Sequence, residues 1–223
     1  MQDVEQDVEQ DVDEKQRLDS LNYEVLKTGS KGNCVVIEDV MIDCGIPFSR
    51  MKDHLYDIKY LLITHQHSDH VKPATLQKIK DMFPKITILG NYEVAQRFGV
   101  DIIVNNGFPV ETRDYTFMPV KAVHDVICTG YSFWVKGLHV CYMTDTCSYS
   151  AFKESPYDVF MIEANYDKNK LDAIGNNFKT RGYNPVLSAK RHSSSQEAKG
   201  FYYSNRRSID SIFIPLHQSE RFS

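Results

Sequence analysis

No stretch of this 223-residue chain approaches the roughly 20 consecutive apolar residues that a membrane-spanning helix needs. The first twenty residues are acidic and polar, so they cannot form the apolar core of a signal peptide. Paired cysteines are missing too. The five cysteines, Cys34, Cys44, Cys128, Cys141 and Cys147, are odd in number and none stands in a Cys-x-x-Cys pair. Without an export signal they read as reduced thiols of a cytoplasmic protein. Cys44, Cys128 and Cys141 lie in apolar or strand-like stretches and read as small core residues.

Strong charge of one sign is lacking once the N-terminus is set aside. The formal charge of −4 comes from residues 1–20, whose balance is −6, and the remainder carries +2. A mild excess of cations follows Phe178, among them Lys190, Arg191, Arg206 and Arg207, which suits an anionic substrate but equally a solvated face. What the chain does have is ordinary for one soluble domain: 42% hydrophobic and 25% charged residues.

The opening four-residue repeat, Gln-Asp-Val-Glu, has too few apolar positions for a core. Residues 1–20 therefore read as a disordered tail or frayed helix, and 21–223 as a single domain. Short β-rich runs follow at Tyr23–Leu26, Cys34–Ile37 and Val40–Asp43, broken by glycines, then a buried-type strand at Tyr60–Thr64. Pro73 fits the first turn of a helix running to about Asp81. Further strands are expected at Ile86–Leu89, Ile102–Val104, Tyr115–His124, Tyr131–Val135, His139–Thr144, Val159–Glu163 and Ser211–Leu216. Helices are expected at Glu93–Phe98 and Ser193–Tyr203, the latter capped by Ser193 or Ser194. Two sheets with helices outside would bury these strands on both faces. The segment Asp167–Arg191 reads as a long loop of the kind that covers a site.

Chemistry concentrates in Thr64-His65-Gln66-His67-Ser68-Asp69-His70, directly after the Tyr60–Thr64 strand. In extended chain His65 and His67 leave the same face and can grip one ion. Asp69 and His70 follow where the chain turns and can reach a second. His124, Asp145 and His217 are each the first strong ligand type after an apolar run. A lone histidine at a strand end is ordinarily structural, but the cluster makes the joint case. Imidazoles mixed with carboxylates suit zinc, manganese or iron better than magnesium.

The His-x-His-x-Asp-His pattern resembles the signature of the metallo-β-lactamase fold, an αββα sandwich of two mixed β-sheets flanked by helices. The resemblance covers most of the chain from Leu26. It implies that His65, His67 and His124 hold one divalent metal, that Asp69, His70 and His217 hold the other, and that Asp145 bridges them. Asp43 resembles the early aspartate that supports such ligands from behind. A finer resemblance is to the YycJ/WalJ-like branch, carried by Gly29-Ser30-Lys31-Gly32-Asn33-Cys34, Thr144-Asp145-Thr146, Ile162-Glu163-Ala164-Asn165, Arg191-His192-Ser193-Ser194 and Leu216-His217-Gln218-Ser219. The chain departs from that branch at Cys147 and Arg191, where glycine is usual, and at Ser193-Ser194, where Leu-Ser is common.

Two metals about 3.5–4 Å apart lower the pKa of a water between them and clamp the attacked oxygen, which suits a phosphodiester. His192 resembles a histidine, outside the ligand set, that phosphodiesterase members of the fold use as a general acid, with Glu163 orienting it. Taken alone, His192 would read as a helix-capping surface residue and Glu163 as a strand-end charge. Lys31, Arg206 and Arg207 are candidate substrate contacts, the two arginines interleaved with Tyr202 and Tyr203 as in nucleotide-stacking surfaces. His54 and His139 fit no motif and read as structural. The leading expectation is a dinuclear metal-dependent phosphodiesterase acting on nucleic acid, an exonuclease on DNA by resemblance. The alternative substrate is a 3′,5′-cyclic nucleotide, as for phage-encoded members of the fold. A thioester or lactone hydrolase would not need the Glu163/His192 pair, a transfer-RNA maturase would be expected to carry a long basic arm, and a metal-free binding protein would not keep the full ligand set. Relatives commonly form homodimers, and a dimer is expected on that ground alone.

Overall fold

The computed structural model describes residues 15–152, 156–174, 186 and 189–219. Of the acidic tail expected over 1–20, residues 1–14 lie outside the described residues, and 15–19 are helical. Among the described residues no helix is long and apolar enough to cross a membrane.

Among the described residues twelve strands form two six-stranded sheets. The first contains β1 (Tyr23–Lys27), β2 (Cys34–Ile37), β3 (Val40–Ile42), β4 (Tyr60–Ile63), β5 (Thr87–Gly90) and β6 (Ile102–Ile103), side by side in chain order. β1 to β3 are antiparallel neighbours, and β3 to β6 run parallel. The second contains β7 (Val110–Glu111), β8 (Thr116–Lys121), β9 (Thr129–Val135), β10 (Leu138–Met143), β11 (Val159–Glu163) and β12 (Ile212–Leu216). β7 to β10 form an antiparallel meander, and β10 to β12 run parallel. The expected αββα architecture is present.

Strand alternation sets the three packing layers. Ile37, Val40, Ile42 and Leu62 of the first sheet meet Phe117, Tyr131, Phe133, Val140 and Tyr142 of the second between the sheets. Met41, Leu61, Ile63 and Ile88 face outward onto α1 (Pro73–Met82) and α2 (Tyr92–Phe98) through Leu76, Ile79 and Val94. Cys141, Phe160 and Ile162 face outward onto α4 (Ser195–Asn205) through Ala198 and Phe201. Each large apolar side chain buried this way contributes roughly 1.5–3 kcal/mol. Pro73 opens α1, where its missing N–H costs nothing. Ser194 caps α4 in a reciprocal capping box with Glu197, which settles the choice between the two serines.

Two expectations need correction. The segment expected as loop from Asp167 begins with a helix, α3 (Lys168–Ile174), whose Leu171 packs with Tyr166 and Ala189. Residues 175–185 and 187–188 of that segment lie outside the described residues. The strand expected to reach His124 ends at Lys121, which leaves His124 on a loop. Elsewhere boundaries differ by one or two residues.

Candidate metal centre

β3, β4, β8, β10, β11 and β12 end on one edge of the sandwich, and the chemistry-bearing residues follow those ends. β4 leads into His65–His70, β8 into His124, β10 into Asp145 and β12 into His217, while Glu163 closes β11. Three of the turning residues adopt left-handed backbone: Asp43 (φ 62°), Asp145 (φ 53°) and His217 (φ 52°). Such conformations cost about 1–3 kcal/mol each and persist where the surroundings over-determine them. The two other non-glycine cases among the described residues, Glu38 and Lys136, sit in the hairpin turns β2–β3 and β9–β10, where positive φ is the normal turn geometry.

The Gly29–Cys34 turn braces the histidine loop. Asn33 N–H donates to the Asp69 carbonyl (2.7 Å), and its side-chain amide reaches His70 Nε2 (2.8 Å) and the Gly29 carbonyl (3.2 Å). Gly45 N–H donates to the Asn33 carbonyl, and Cys44 N–H to that of His70. Gly45 is required by proximity: a Cβ there would stand 1.7 Å from the Asp69 carbonyl oxygen. Beneath the loop, Asp43 is wholly buried. Thr64 donates to it from N–H (2.8 Å) and from Oγ1 (2.9 Å to Oδ2), and His70 Nδ1 donates to Oδ2 at 2.6 Å. His65 Nδ1 lies 3.0 Å from Thr64 Oγ1. With Nδ1 of both rings engaged, Nε2 of His65 and His70 is turned to the cleft.

There the donors converge. The chain bends after Thr64, so His65 and His67 are not on an extended strand as expected. Their ring nitrogens still approach to 3.1 Å (His65 Nε2 to His67 Nδ1), and His124 Nε2 lies 3.3 Å from His67 Nδ1. Asp69, His70 and His217 form a second cluster, and Asp145 adjoins both. Within each cluster the donor atoms lie within 4.8 Å of one another. Asp145 Oδ2 and His217 Nε2 are buried without a hydrogen-bond partner among the described residues, although His70 Nε2 stands 2.7 Å from Asp145 Oδ2. Buried polar atoms left so cost about 1–3 kcal/mol each. A cation between them satisfies both, so the residues present fit a divalent metal at the Asp69/His70/His217 cluster beside Asp145.

The electrostatics agree with that fit. Burial, helped by the neighbouring His70, holds His65 well below the usual histidine range, and burial lowers His124. Both are the neutral imidazoles that ligate metals. Burial works against the Asp145 carboxylate, but His70 and His217 outweigh it and hold it well below its usual range. Burial likewise opposes charge on His70, yet Asp43 and Asp145 raise it well above normal. Positive charge is what the two carboxylates demand at this spot.

Beside Asp145 stands a second pair. Glu163 is fully buried, and its Oε1 lies 2.7 Å from His192 Nδ1. Its Oε2 accepts from the N–H of Thr146 (2.7 Å), the residue after Asp145. Burial lowers His192, but the Glu163 hydrogen bond and charge reverse this and leave it raised. Ser193 Oγ donates to the Thr146 carbonyl (2.8 Å), which ties the His192 turn to the Asp145 turn.

The arrangement of two mixed six-stranded sheets, outer helices and a donor cluster at the strand ends is decisive for the fold. The chain adopts the metallo-β-lactamase fold. A sequence profile described as the metallo-beta-lactamase superfamily matches residues 28–75. Three solved structures are similar at low identity. The metallo-beta-lactamase fold protein YhfI from Bacillus subtilis is 16% identical with a TM-score of 0.66, covering 90% of this chain and 86% of that one. The short form of human tRNase Z is 18% identical with a TM-score of 0.64, covering 89% and 93%. A diphosphatase of the PhnP family is 16% identical with a TM-score of 0.59, covering 90% and 87%.

On this metallo-β-lactamase scaffold the remaining candidates fall in different places. Lys31 is exposed in the Gly29–Cys34 turn, beside the histidine loop. Arg206 and Arg207 are not brought to the centre. Arg207 Nε pairs with Asp158 (2.6 Å) at the start of β11, at the end of that strand opposite Glu163, and Arg206 lies over the rings of Tyr202 and Tyr203. Both lie at the far edge, away from the two donor clusters. His54 and His139 also lie away from the centre. Sequence reading missed Asp125. Its Oδ1 lies 3.1 Å from His124 Nε2 and 3.7 Å from His67 Nε2, on the exposed side of the first cluster. An acid adjacent to a candidate ligand was the signal available.

Proposed function

We infer that the protein is a metal-dependent hydrolase acting as a phosphodiesterase, with nucleic acid as substrate and DNA exonuclease action as the specific reading. The observation that carries it is the Glu163–His192 pair, 2.7 Å apart and placed beside Asp145. Two divalent ions at the clusters would supply Lewis-acid polarisation of the phosphoryl group and an activated water. His65, His67 and His124 would hold one, Asp69, His70 and His217 the other, with Asp145 shared. Zinc and manganese, then iron, suit these donors.

The residues of the chain do the rest. Glu163 fixes the His192 ring through Nδ1, which leaves Nε2 to deliver a proton to the departing oxygen. An alkoxide from a sugar leaves badly without that proton, whereas thiolates and phenolates leave well without it. A buried carboxylate behind a histidine placed to deliver that proton therefore favours phosphodiesters over thioesters. Two of the similar folds are named for a tRNase and a diphosphatase, which supports phosphoester chemistry. The resemblance of the Gly29–Cys34 turn to the YycJ/WalJ-like branch supports DNA.

The test is an assay panel. Protein loaded with manganese or zinc is incubated with linear DNA, RNA and 3′,5′-cyclic nucleotides. Progressive release of nucleotides from DNA ends is expected. Turnover of cyclic nucleotides with DNA left intact would replace the substrate assignment, and no phosphoester turnover at all would overturn the phosphodiesterase reading.

A further inference from the structure

The first donor cluster is assembled from both sheets. His65 and His67 follow β4 of the first sheet, and His124 lies on the loop between β8 and β9 of the second. Only the ends of that loop, Ala122 and Cys128, are buried in apolar core, while Val123, Asp125 and Ile127 are exposed. Core packing therefore does not fix His124 against His65 and His67. Polar contacts at the edge of the sandwich must do so.

Asn91 supplies the central ones. It stands between β5 and α2, is fully buried, and engages every polar atom of its side chain. Oδ1 accepts from Val94 N–H (3.2 Å) and so caps α2. Nδ2 donates to the Thr64 carbonyl (3.0 Å), directly before His65, and to the Ile127 carbonyl (2.8 Å), on the His124 loop. The amide can stand only one way round, because the reverse would set Oδ1 against two carbonyl oxygens. Glu93, in the first turn of α2, grips the same two places. Its Oε2 accepts from Ile127 N–H (3.1 Å) and from Nε2 of Gln66 (3.0 Å), the residue between His65 and His67. Both main-chain polar groups of Ile127 are thus held by the start of α2, although its side chain is exposed. Before His124, Val123 N–H donates to Thr146 Oγ1 (3.1 Å). The loop is pinned on either side of its candidate ligand.

We propose that Asn91 is a positioning residue for the first metal, with Glu93 as its partner. Together they clamp the His124 loop to the His65–His67 turn before an ion arrives. The other cluster is held by different side chains, His70 by Asp43 and His217 by Glu163. The clamp therefore governs one metal and leaves the other alone. Without it the ion itself must order the loop, and the entropy lost in doing so weakens binding. The proposal rests on the metal-dependent reading of the site and not on a phosphodiester substrate.

The test is zinc binding by the metal-free full chain carrying isotope-labelled histidine. Competition with a chromophoric chelator gives the affinities. Ring-nitrogen resonances of His65, His67 and His124, against those of His70 and His217, assign each affinity to its cluster. Asn91→Ser keeps a capping oxygen for α2 and removes both N–H donors. It should lower the affinity of the first cluster relative to the second by about tenfold, the worth of two ordinary hydrogen bonds. Equal losses at both clusters, or no loss, overturn the proposal. Glu93→Ala, on the more open side of the clamp, should shift the same ratio in the same direction and decides the matter if Asn91→Ser does not fold. Hydrogen exchange at the Ile127 amide of metal-free protein shows whether the clamp precedes the metal. Protection in the wild type, lost in Glu93→Ala, is expected, and an unprotected wild-type amide overturns the proposal. A wild type that takes up no zinc removes the metal-dependent reading and the clamp with it. No substrate enters any arm, so failure of the phosphodiesterase reading is a separate result.

Discussion

Glu163 holds His217 by the same carboxylate oxygen that it offers to His192: Oε1 lies 3.0 Å from His217 Nδ1. One buried oxygen thus orients a candidate metal ligand and the candidate proton donor together. A carboxylate behind a ligating imidazole fixes the ring and raises its basicity, and losing it typically costs 10–100-fold in metal affinity. Glu163→Gln should therefore lower affinity at the Asp69/His70/His217 cluster by about 10–100-fold, read by competition with a chromophoric chelator, as well as slowing turnover. Wild-type metal affinity in this variant would restrict the role of Glu163 to His192.

His192→Ala should leave metal content intact, because Nδ1 of His192 serves Glu163 and the residue belongs to neither the His65/His67/His124 nor the Asp69/His70/His217 cluster, although it stands with Asp145, Glu163 and His217 in a further group of donors. Its effect should depend on the leaving group. For a phosphodiester that expels a sugar alkoxide, the rate should fall about 10²–10⁴-fold, the usual worth of general acid catalysis. For one that expels p-nitrophenolate, which needs no proton, the loss should stay under about tenfold. Equal losses on both substrates would show that His192 positions substrate without delivering a proton.

Asp125 adds a negative charge on the solvent side of the first cluster, its Oδ1 3.1 Å from His124 Nε2 and 3.7 Å from His67 Nε2. Asp125→Asn should weaken metal binding at the His65/His67/His124 cluster by about tenfold. It should also reduce the rise in melting temperature that added zinc produces, while leaving the metal-free melting temperature unchanged, since the side chain is exposed. A full zinc-dependent rise would mark Asp125 as a surface charge.

What the sequence displayed was the set of polar residues that follow apolar runs. His65–His70, His124, Asp145 and His217 were legible because a strand emerging from a core has no packing use for such side chains. The sandwich was legible because strand-forming runs with short breaks outnumber helical ones. Contacts between distant segments were not. Arg207 next to tyrosines resembles a nucleotide surface until Asp158, 49 positions earlier, is seen to claim it. α3 was hidden by its Lys-Asn-Lys opening, a composition typical of loops that here gains order from Leu171 against Tyr166 and Ala189. β7 is two residues long, too short for any period to register.

Gly45 tests whether the ligand loop is held by backbone fit rather than by the metals alone. Its neighbours are backbone atoms on two segments: a Cβ would lie 1.7 Å from the Asp69 carbonyl oxygen and 2.9 Å from Asn33 N. Neither can swing aside as a long side chain could. Accommodating even alanine must push the Asp69–His70 turn away from the Gly29–Cys34 turn and break the Asn33–Asp69 and Cys44–His70 hydrogen bonds. Gly45→Ala should accordingly cost more than about 3 kcal/mol in urea unfolding of metal-free protein, the range of severe overpacking. The bound zinc of any folded fraction should drop with it. A variant that unfolds within about 1 kcal/mol of wild type, near the average effect of a single substitution, would mean that the two turns are not locked together before metal binds.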